Sequence, residues 1–321
     1  MSHFSHNIVK MSSADKPADD EVCASCGIKG GNNIKLKTCD GCKLVKYCSV
    51  ECQRKHRSRH KRACKKRAAE LREELLFQQP ECTHLGECPI CFVPIPFETD
   101  EQTGGERSGA LLFCCSKYIC IGCIYECKMQ GLEEKCPFCR TPYPLNDAAK
   151  AQKMINKQYE RGNPDAIRYR ADKCMVEGNY NDGFKYYVQA AKGGDIEAHL
   201  QLGRFFLGGE GEDQKKATFH YEEAAIGGHP VARDILGVLE STLGNNQKAV
   251  KHWIIGAKLG SKDVLEQLKK GYKYGIVSKE AFQEGLRGCQ EAVNAMKTPQ
   301  REAAKQNFHL LGIVCDNEAQ K

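Results

Sequence analysis

The chain has 321 residues, room for two or three folding units at ~100–200 residues each. A mean hydropathy of -0.55, 28% charged residues and no apolar run near the ~20 residues of a membrane span exclude a membrane-embedded protein. Residues 1–67 hold sixteen Lys/Arg against six Asp/Glu, so the formal net charge of +7 comes entirely from the N-terminal fifth.

The opening "MSHFSHNIVKMSSADKPADDE" lacks the apolar stretch of a secretory signal. Residues 1–22 are therefore expected to be a disordered tail, and the protein to be intracellular, cytoplasmic or nuclear, and not secreted. Seventeen of the 20 cysteines lie between Cys23 and Cys139, mostly in C-x-x-C pairs. A cysteine-dense stretch without a signal sequence points to reduced thiolates holding zinc rather than to disulfides.

Between residues 23 and 64 the pattern is Cys23-x2-Cys26, Cys39-x2-Cys42, Cys48-x3-Cys52 and His60-x3-Cys64. Eight nitrogen and sulfur donors suffice for two tetrahedral sites. The last two pairs, spaced i, i+4, each project from one helical face; His56 reads as an exposed residue of the same basic helix. This stretch resembles the MYND-type zinc finger. The resemblance implies an interleaved topology, with Cys23, Cys26, Cys48 and Cys52 on one zinc and Cys39, Cys42, His60 and Cys64 on the other. Arg57 stands where many members carry tryptophan. The resemblance also implies a protein-interaction finger with a preference for proline-containing peptides; no SET-like methyltransferase segment accompanies it. So short a segment cannot fold on its apolar core alone, and each structural zinc contributes ~10–16 kcal/mol.

"RKHRSRHKRACKKR" places nine Lys/Arg in residues 54–67. A nuclear-import signal, a patch for nucleic acid or an acidic partner, and a plain solvated helical face all remain open; no aromatic residue interleaves the run, which weakens a base-stacking role. Residues 65–87 are read as a basic helical linker, its helix formers ending before Pro80.

A second cysteine group spans residues 88–142. Cys88-x2-Cys91 and Cys136-x2-Cys139 flank "FCCSKYICIGC", which holds Cys114, Cys115, Cys120 and Cys123. The group resembles the RING-type finger in an all-cysteine form. That resemblance implies a cross-brace, pairing Cys88 and Cys91 with Cys120 and Cys123, and Cys136 and Cys139 with Cys114 and Cys115. Adjacent cysteines reach one ion only if the backbone kinks, so Cys115 is the stronger of the two. Protonated Lys117 has no lone pair to offer and is expected in a loop. His84, Cys82 and Cys127 are spare donors, His84 being a candidate substitute ligand. Ile90, Pro137 and Arg140 match the positions through which RING-type members contact a ubiquitin-conjugating enzyme, a positioning role with no catalytic residue of its own. No separate Cys/His nucleophile arrangement is identifiable. Residues 95–109 read as a flexible insertion.

After a linker helix over 143–162 the cysteines thin out and a period appears. "YYVQAAKGGDIEAHLQLG" returns as "HYEEAAIGGHPVARDILG" and then as "HWIIGAKLGSKDVLEQL". Gly183, Ala217 and Ala249 share one slot, Tyr187, Tyr221 and Trp253 the next, and Ala191, Ala225 and Ala257 a third. The i, i+4, i+8 spacing makes a core stripe on one helix. Ala198 with Leu202, Ala232 with Leu236 and Val264 with Leu268 mark its partner helix, and Gly194, Gly228 and Gly260 fall at helix ends. Residues 163–296 resemble the Sel-1-like repeat, a relative of the tetratricopeptide repeat, which implies a surface for protein clients. A closing helix is expected over 279–296 with Ser278 as its cap, and residues 297–321 as a helical or frayed tail.

The sequence thus predicts small zinc-stabilised α+β fingers, MYND-type and RING-like, followed by an all-α helical-repeat solenoid, with about four zinc ions per chain. Two functions stay open: a RING-type ubiquitin ligase or ligase adaptor whose repeats select clients, and a non-enzymatic scaffold. A nuclear regulator contacting nucleic acid through the basic run is the less favoured third.

Overall fold

A computed structural model describes residues 22–31, 33–98, 108–132, 134–144, 147–208 and 213–307. Residues 1–21 of the expected N-terminal tail, most of the insertion within 95–109 and the end of the C-terminal tail lie outside them. The chain divides into two compact units, Met1–Leu75 and Leu76–Lys321.

In the first unit, β1 (Lys37–Thr38) and β2 (Lys46–Tyr47) pair antiparallel, Lys37 opposite Tyr47. Helix α1 then runs from Val50 to Leu76 without a break. The finger helix and the linker helix expected from the sequence are therefore one element, because nothing between Cys64 and Leu76 carries a helix-stopping proline or glycine. The core of this unit is Cys23, Cys39, Cys42 and Tyr47, with Cys48, Cys52 and Cys64 among the residues packed around it. Six of its ten core and rim residues are cysteines, packed where a larger domain would place aliphatic side chains.

The second unit starts with a hairpin of β3 (Gly109–Leu112) and β4 (Lys117–Cys120), in register from Gly109↔Cys120 to Leu112↔Lys117, followed by α2 (Ile121–Met129). Lys117 opens β4 rather than lying in a loop, and its ammonium sits 4.9 Å from the centre of the Phe138 ring.

Among the described residues nine helices follow: α3 (Ala148–Glu160), α4 (Pro164–Val176), α5 (Tyr180–Lys192), α6 (Ile196–Gly208), α7 (Gln214–Ile226), α8 (Pro230–Thr242), α9 (Asn246–Lys258), α10 (Lys262–Lys273) and α11 (Lys279–Ala295); a short α12 (Pro299–Gln306) ends the described chain. Asp, Asn or Ser side chains cap most of the starts; Ser278 accepts from Ala281 N at 3.2 Å, as the sequence predicts. Left-handed glycines end the helices, with φ of 93° at Gly194, 85° at Gly228 and 86° at Gly260. Helices α4 and α5, α6 and α7, and α8 and α9 form the main pairs, each packing on the next. Three cores follow one another along the stack, around Tyr187, Tyr221 and Trp253, which is the layered construction of a solenoid. A Cβ on Gly203 would lie 2.4 Å from the Tyr221 ring, and one on Gly237 2.3 Å from the Trp253 ring. These two glycines, absent from the sequence-derived slots, are where the aromatic stripe seats.

The cysteine-rich part of the second unit packs against this stack. Phe113 meets Tyr169 of α4 edge to face, Gln158 of α3 donates to the Cys114 carbonyl at 3.1 Å, and His84 N donates to the Gly228 carbonyl at 3.2 Å.

Candidate metal centres

Four of the C-x-x-C pairs are built as knuckles. In the first, Gly27 N donates to Cys23 O at 2.9 Å; Lys43 N to Cys39 O, Phe92 N to Cys88 O and Arg140 N to Cys136 O repeat the bond at 2.9, 2.8 and 3.0 Å. The residue after the second cysteine must turn left to close this loop. Gly27 does so at φ 73°, while Lys43, Phe92 and Arg140 do so with side chains attached, each at φ 56°. Ser116 has φ 55°, and its amide donates to Leu112 O at 2.7 Å. That turn is the kink needed for adjacent cysteines: Cys114 and Cys115 place their sulfurs 4.0 Å apart, facing one cluster.

Four groups of donor atoms result, each with all its atoms within 4.8 Å of one another: Cys23, Cys26, Cys48 and Cys52; Cys39, Cys42, His60 and Cys64; Cys88, Cys91, Cys120 and Cys123; Cys114, Cys115, Cys136 and Cys139. Sulfurs bound tetrahedrally at ~2.3 Å stand about 3.8 Å apart, whereas a disulfide needs about 2.05 Å. The separations are 3.6 Å for Cys26–Cys48, 3.5 Å for Cys48–Cys52, 3.8 Å for Cys39–Cys64, 3.7 Å for Cys88–Cys123, 3.8 Å for Cys91–Cys120 and 3.6 Å for Cys115–Cys136. Cys42 Sγ lies 3.3 Å from His60 Nε2. The residues present fit zinc.

Electrostatics agree. Burial opposes ionisation of Cys23, yet amides of Cys48, Cys26 and Ser25 outweigh it and bring the thiol down to about 6. Cys48, crowded by Cys52, Cys26 and Cys23, is pushed up to about 12. Cys39 falls to about 6, burial being outweighed by the Cys42 amide and the His60 ring. In the second unit Cys120 and Cys123 hold Cys88 down, while Cys123 itself is driven up by Cys120 and Cys88. Sulfurs this close cannot all ionise unless a cation sits among them.

Other sequence candidates fall elsewhere. His56 is half-buried rather than exposed: its Nδ1 lies 3.1 Å from the Tyr47 hydroxyl and its ring stacks on His60. Arg57 is solvent-exposed. His84 belongs to none of the cysteine groups; it lies against Glu197 and His229 of the solenoid, so it does not substitute for a cysteine ligand. Cys82, Cys127, Cys174 and Cys289 are free thiols outside the clusters. Ile90, Pro137 and Arg140 are all exposed on the knuckles of the second group. A residue missed by sequence reasoning is Arg301, placed there in the C-terminal tail but 2% exposed and within 3.6 Å of Cys91 Sγ.

Residues 23–64 match the family model of the MYND finger. Among curated proteins the chain is similar to chitin synthase regulatory factor 4 of Schizosaccharomyces pombe, 34% identical over 98 residues, which are 30% of this chain and 15% of that protein. Among solved structures it is similar to a Sel1 repeat protein from Oxalobacter formigenes, at 23% identity and a TM-score of 0.40, covering 54% of this chain and 70% of that one. It is also similar to c5321, a protective antigen of uropathogenic Escherichia coli with an SLR fold, at 24% identity and a TM-score of 0.36, covering 59% and 44%. The chain carries a zinc-binding MYND finger and a helical-repeat region, the equipment of a protein-interaction module. No helix among the described residues is long and apolar enough to cross a membrane.

Proposed function

We propose that this is an intracellular, zinc-dependent adaptor whose second cysteine group is a RING-type finger recruiting a ubiquitin-conjugating enzyme, with the sixteen Cys and His donors above holding four zinc ions. The observation that carries the reading is the exposure of Ile90, Pro137 and Arg140 together on the knuckles of that finger. Buried packing would account for an apolar residue and a proline there, but all three face solvent. Arg140 keeps its side chain in a left-handed position and offers a fork of donors to carbonyls of a partner. The chemistry needed is positioning alone; the finger supplies a rigid face, and the thioester of the conjugating enzyme supplies the reactivity. Free cysteines spaced as metal ligands support residence in a reducing compartment.

In this reading the helical repeats hold the client and the MYND finger takes a proline-containing peptide. An apolar groove of about 240 Å³ between α8 and α10, floored by Trp253 and rimmed by Val238 and Tyr274, is one surface of the repeats open to a client. The basic run remains a solvated face of α1.

The test is an autoubiquitination assay of the full chain across a panel of conjugating enzymes. Activity with at least one enzyme, abolished by Ile90→Ala and by Arg140→Ala, is expected. A zinc-loaded chain inactive with every enzyme would leave the non-enzymatic scaffold as the reading.

A further inference from the structure

Arg301 reaches from the first turn of α12 into the second finger, 210 residues away along the chain. Its guanidinium donates from Nη1 to the carbonyls of Pro94 and Met296, both at 2.7 Å, and from Nη2 to the carbonyl of Val93 at 3.0 Å and to Cys91 Sγ at 3.6 Å. The side chain is 2% exposed. No carboxylate among the described residues forms an ion pair with it, and its Nε has no partner. A buried guanidinium satisfied only by neutral carbonyls is costly. One anionic neighbour is at hand: four thiolates around a divalent ion carry a net charge of -2, and two of them, Cys88 and Cys120, are 0% and 1% exposed.

The approach of α12 is built into the finger. A Cβ on Gly122, in the first turn of α2, would lie 2.6 Å from Arg301 N and 2.8 Å from its Cγ. Ala304, fully buried, packs on Ile121 with Ile124 and Tyr125 beside it. Thr298 caps α12 by accepting from Arg301 N at 3.1 Å, and Lys305 pairs with Glu98 at 2.8 Å.

We infer that Arg301 is an outer-sphere partner of the Cys88/Cys91/Cys120/Cys123 centre, donating to a ligand sulfur and neutralising part of its charge, so that the last described helix governs how firmly the second finger keeps its metal. The inference rests on the zinc reading of that centre. Residues that hydrogen-bond metal ligands from outside typically change metal affinity ~10–100-fold when removed. Lysine keeps the charge but cannot reproduce the fork to three backbone carbonyls and a sulfur.

The experiment uses the full chain loaded with zinc: wild type, Arg301→Met, Arg301→Lys and Gly122→Ala, challenged with a chelator. Zinc release is followed with an indicator dye, and alkylation of each cysteine by mass spectrometry, with the first finger as internal reference. Arg301→Met is expected to release one zinc about tenfold or more faster than wild type, Cys88, Cys91, Cys120 and Cys123 being alkylated first and the first finger unchanged. Arg301→Lys falls between the two. In the cobalt-loaded chain, loss of the N–H···S bond moves part of the thiolate-to-metal charge-transfer band to lower energy, which a merely structural role would not do. Should Arg301→Met fail to fold, Gly122→Ala, which removes no ligand sulfur and leaves the Arg301 guanidinium in place, is expected to accelerate the same release by pushing α12 away. Folded variants that release zinc at the wild-type rate, with an unmoved band, overturn the inference. Wild type that alkylates freely at those four cysteines while holding metal elsewhere instead overturns the zinc reading beneath it.

Discussion

The imidazole of His84 lies flat on that of His229, ring centroids 4.1 Å apart and planes 11° from parallel. His229 accepts from Val231 N through Nδ1 at 3.2 Å, which leaves its Nε2–H to donate to Glu197 at 2.8 Å. Two rings stacked this way cannot both present in-plane lone pairs to a single ion, so the trio is a polar joint between the finger and α6 and α8.

Acid weakens this joint. Burial first, and the neighbouring His229 second, hold His84 well below the ordinary histidine value; Glu197 is brought to about 2, burial being outweighed by the bond from His229. A histidine depressed in the folded state leaves the unfolded chain binding more protons, so its contribution is complete above pH ~6.5 and declines below it. Glu197 contributes above pH ~4.5 and is lost lower still. His84→Phe, which keeps the stack and removes the titration, is expected to spare the helical unit about 1 kcal/mol of the loss between pH 6.5 and 5.5. Urea unfolding followed by helical circular dichroism at the two pH values checks this; identical pH dependence in wild type and variant would contradict it.

Cys115→Ser is expected to lower zinc content from about four per chain to about three. Lys117→Ala should leave it unchanged, because that ammonium rests on Phe138 and holds no ion. Elemental analysis of the two purified variants decides the matter, and equal losses would count against the assignment.

Gly237→Ala should destabilise the repeats although alanine is the better helix former by ~1 kcal/mol. Its methyl would meet the rigid indole of Trp253 at 2.3 Å, and overpacking of this kind costs about 1–3 kcal/mol. A lower melting temperature is the expected result; a rise would show that the ring can shift.

Chelation should unfold the first finger and spare most of the helix signal. The core of that finger is largely its own ligands, so removing the metal removes the reason for its shape. The solenoid cores around Tyr187, Tyr221 and Trp253 contain no cluster cysteine. Far-UV circular dichroism before and after a chelator should therefore drop by a minor fraction, and collapse of the whole spectrum would refute the division.

What could be read from the sequence was set by local spacing. Two residues between cysteines fix a knuckle, and A-A-x-G-G recurring in phase, as AAKGG and AAIGG, fixes a helix end, because both depend on neighbours in the chain. The same rule explains the failures. His84 looks like a stray donor near Cys88 until the fold lays it on His229. Gly203 and Gly237 look like ordinary helix glycines until an aromatic ring from the next helix arrives. Arg301 sits in an unremarked polar tail, and no local pattern reports a sulfur 210 residues upstream. Helix α1 runs on through Cys64 because metal spacing ends a ligand set without ending the helix that carries it.

Lys43, Phe92, Ser116 and Arg140 turn left without being glycine, an arrangement that costs roughly 1–2 kcal/mol at each position. Glycine or asparagine would sit there more easily, and valine or isoleucine far worse. The mutational freedom of the fingers is thus fenced one step beyond each knuckle, at sites that never touch an ion, and drift toward branched side chains there would loosen a knuckle whose cysteines are all intact.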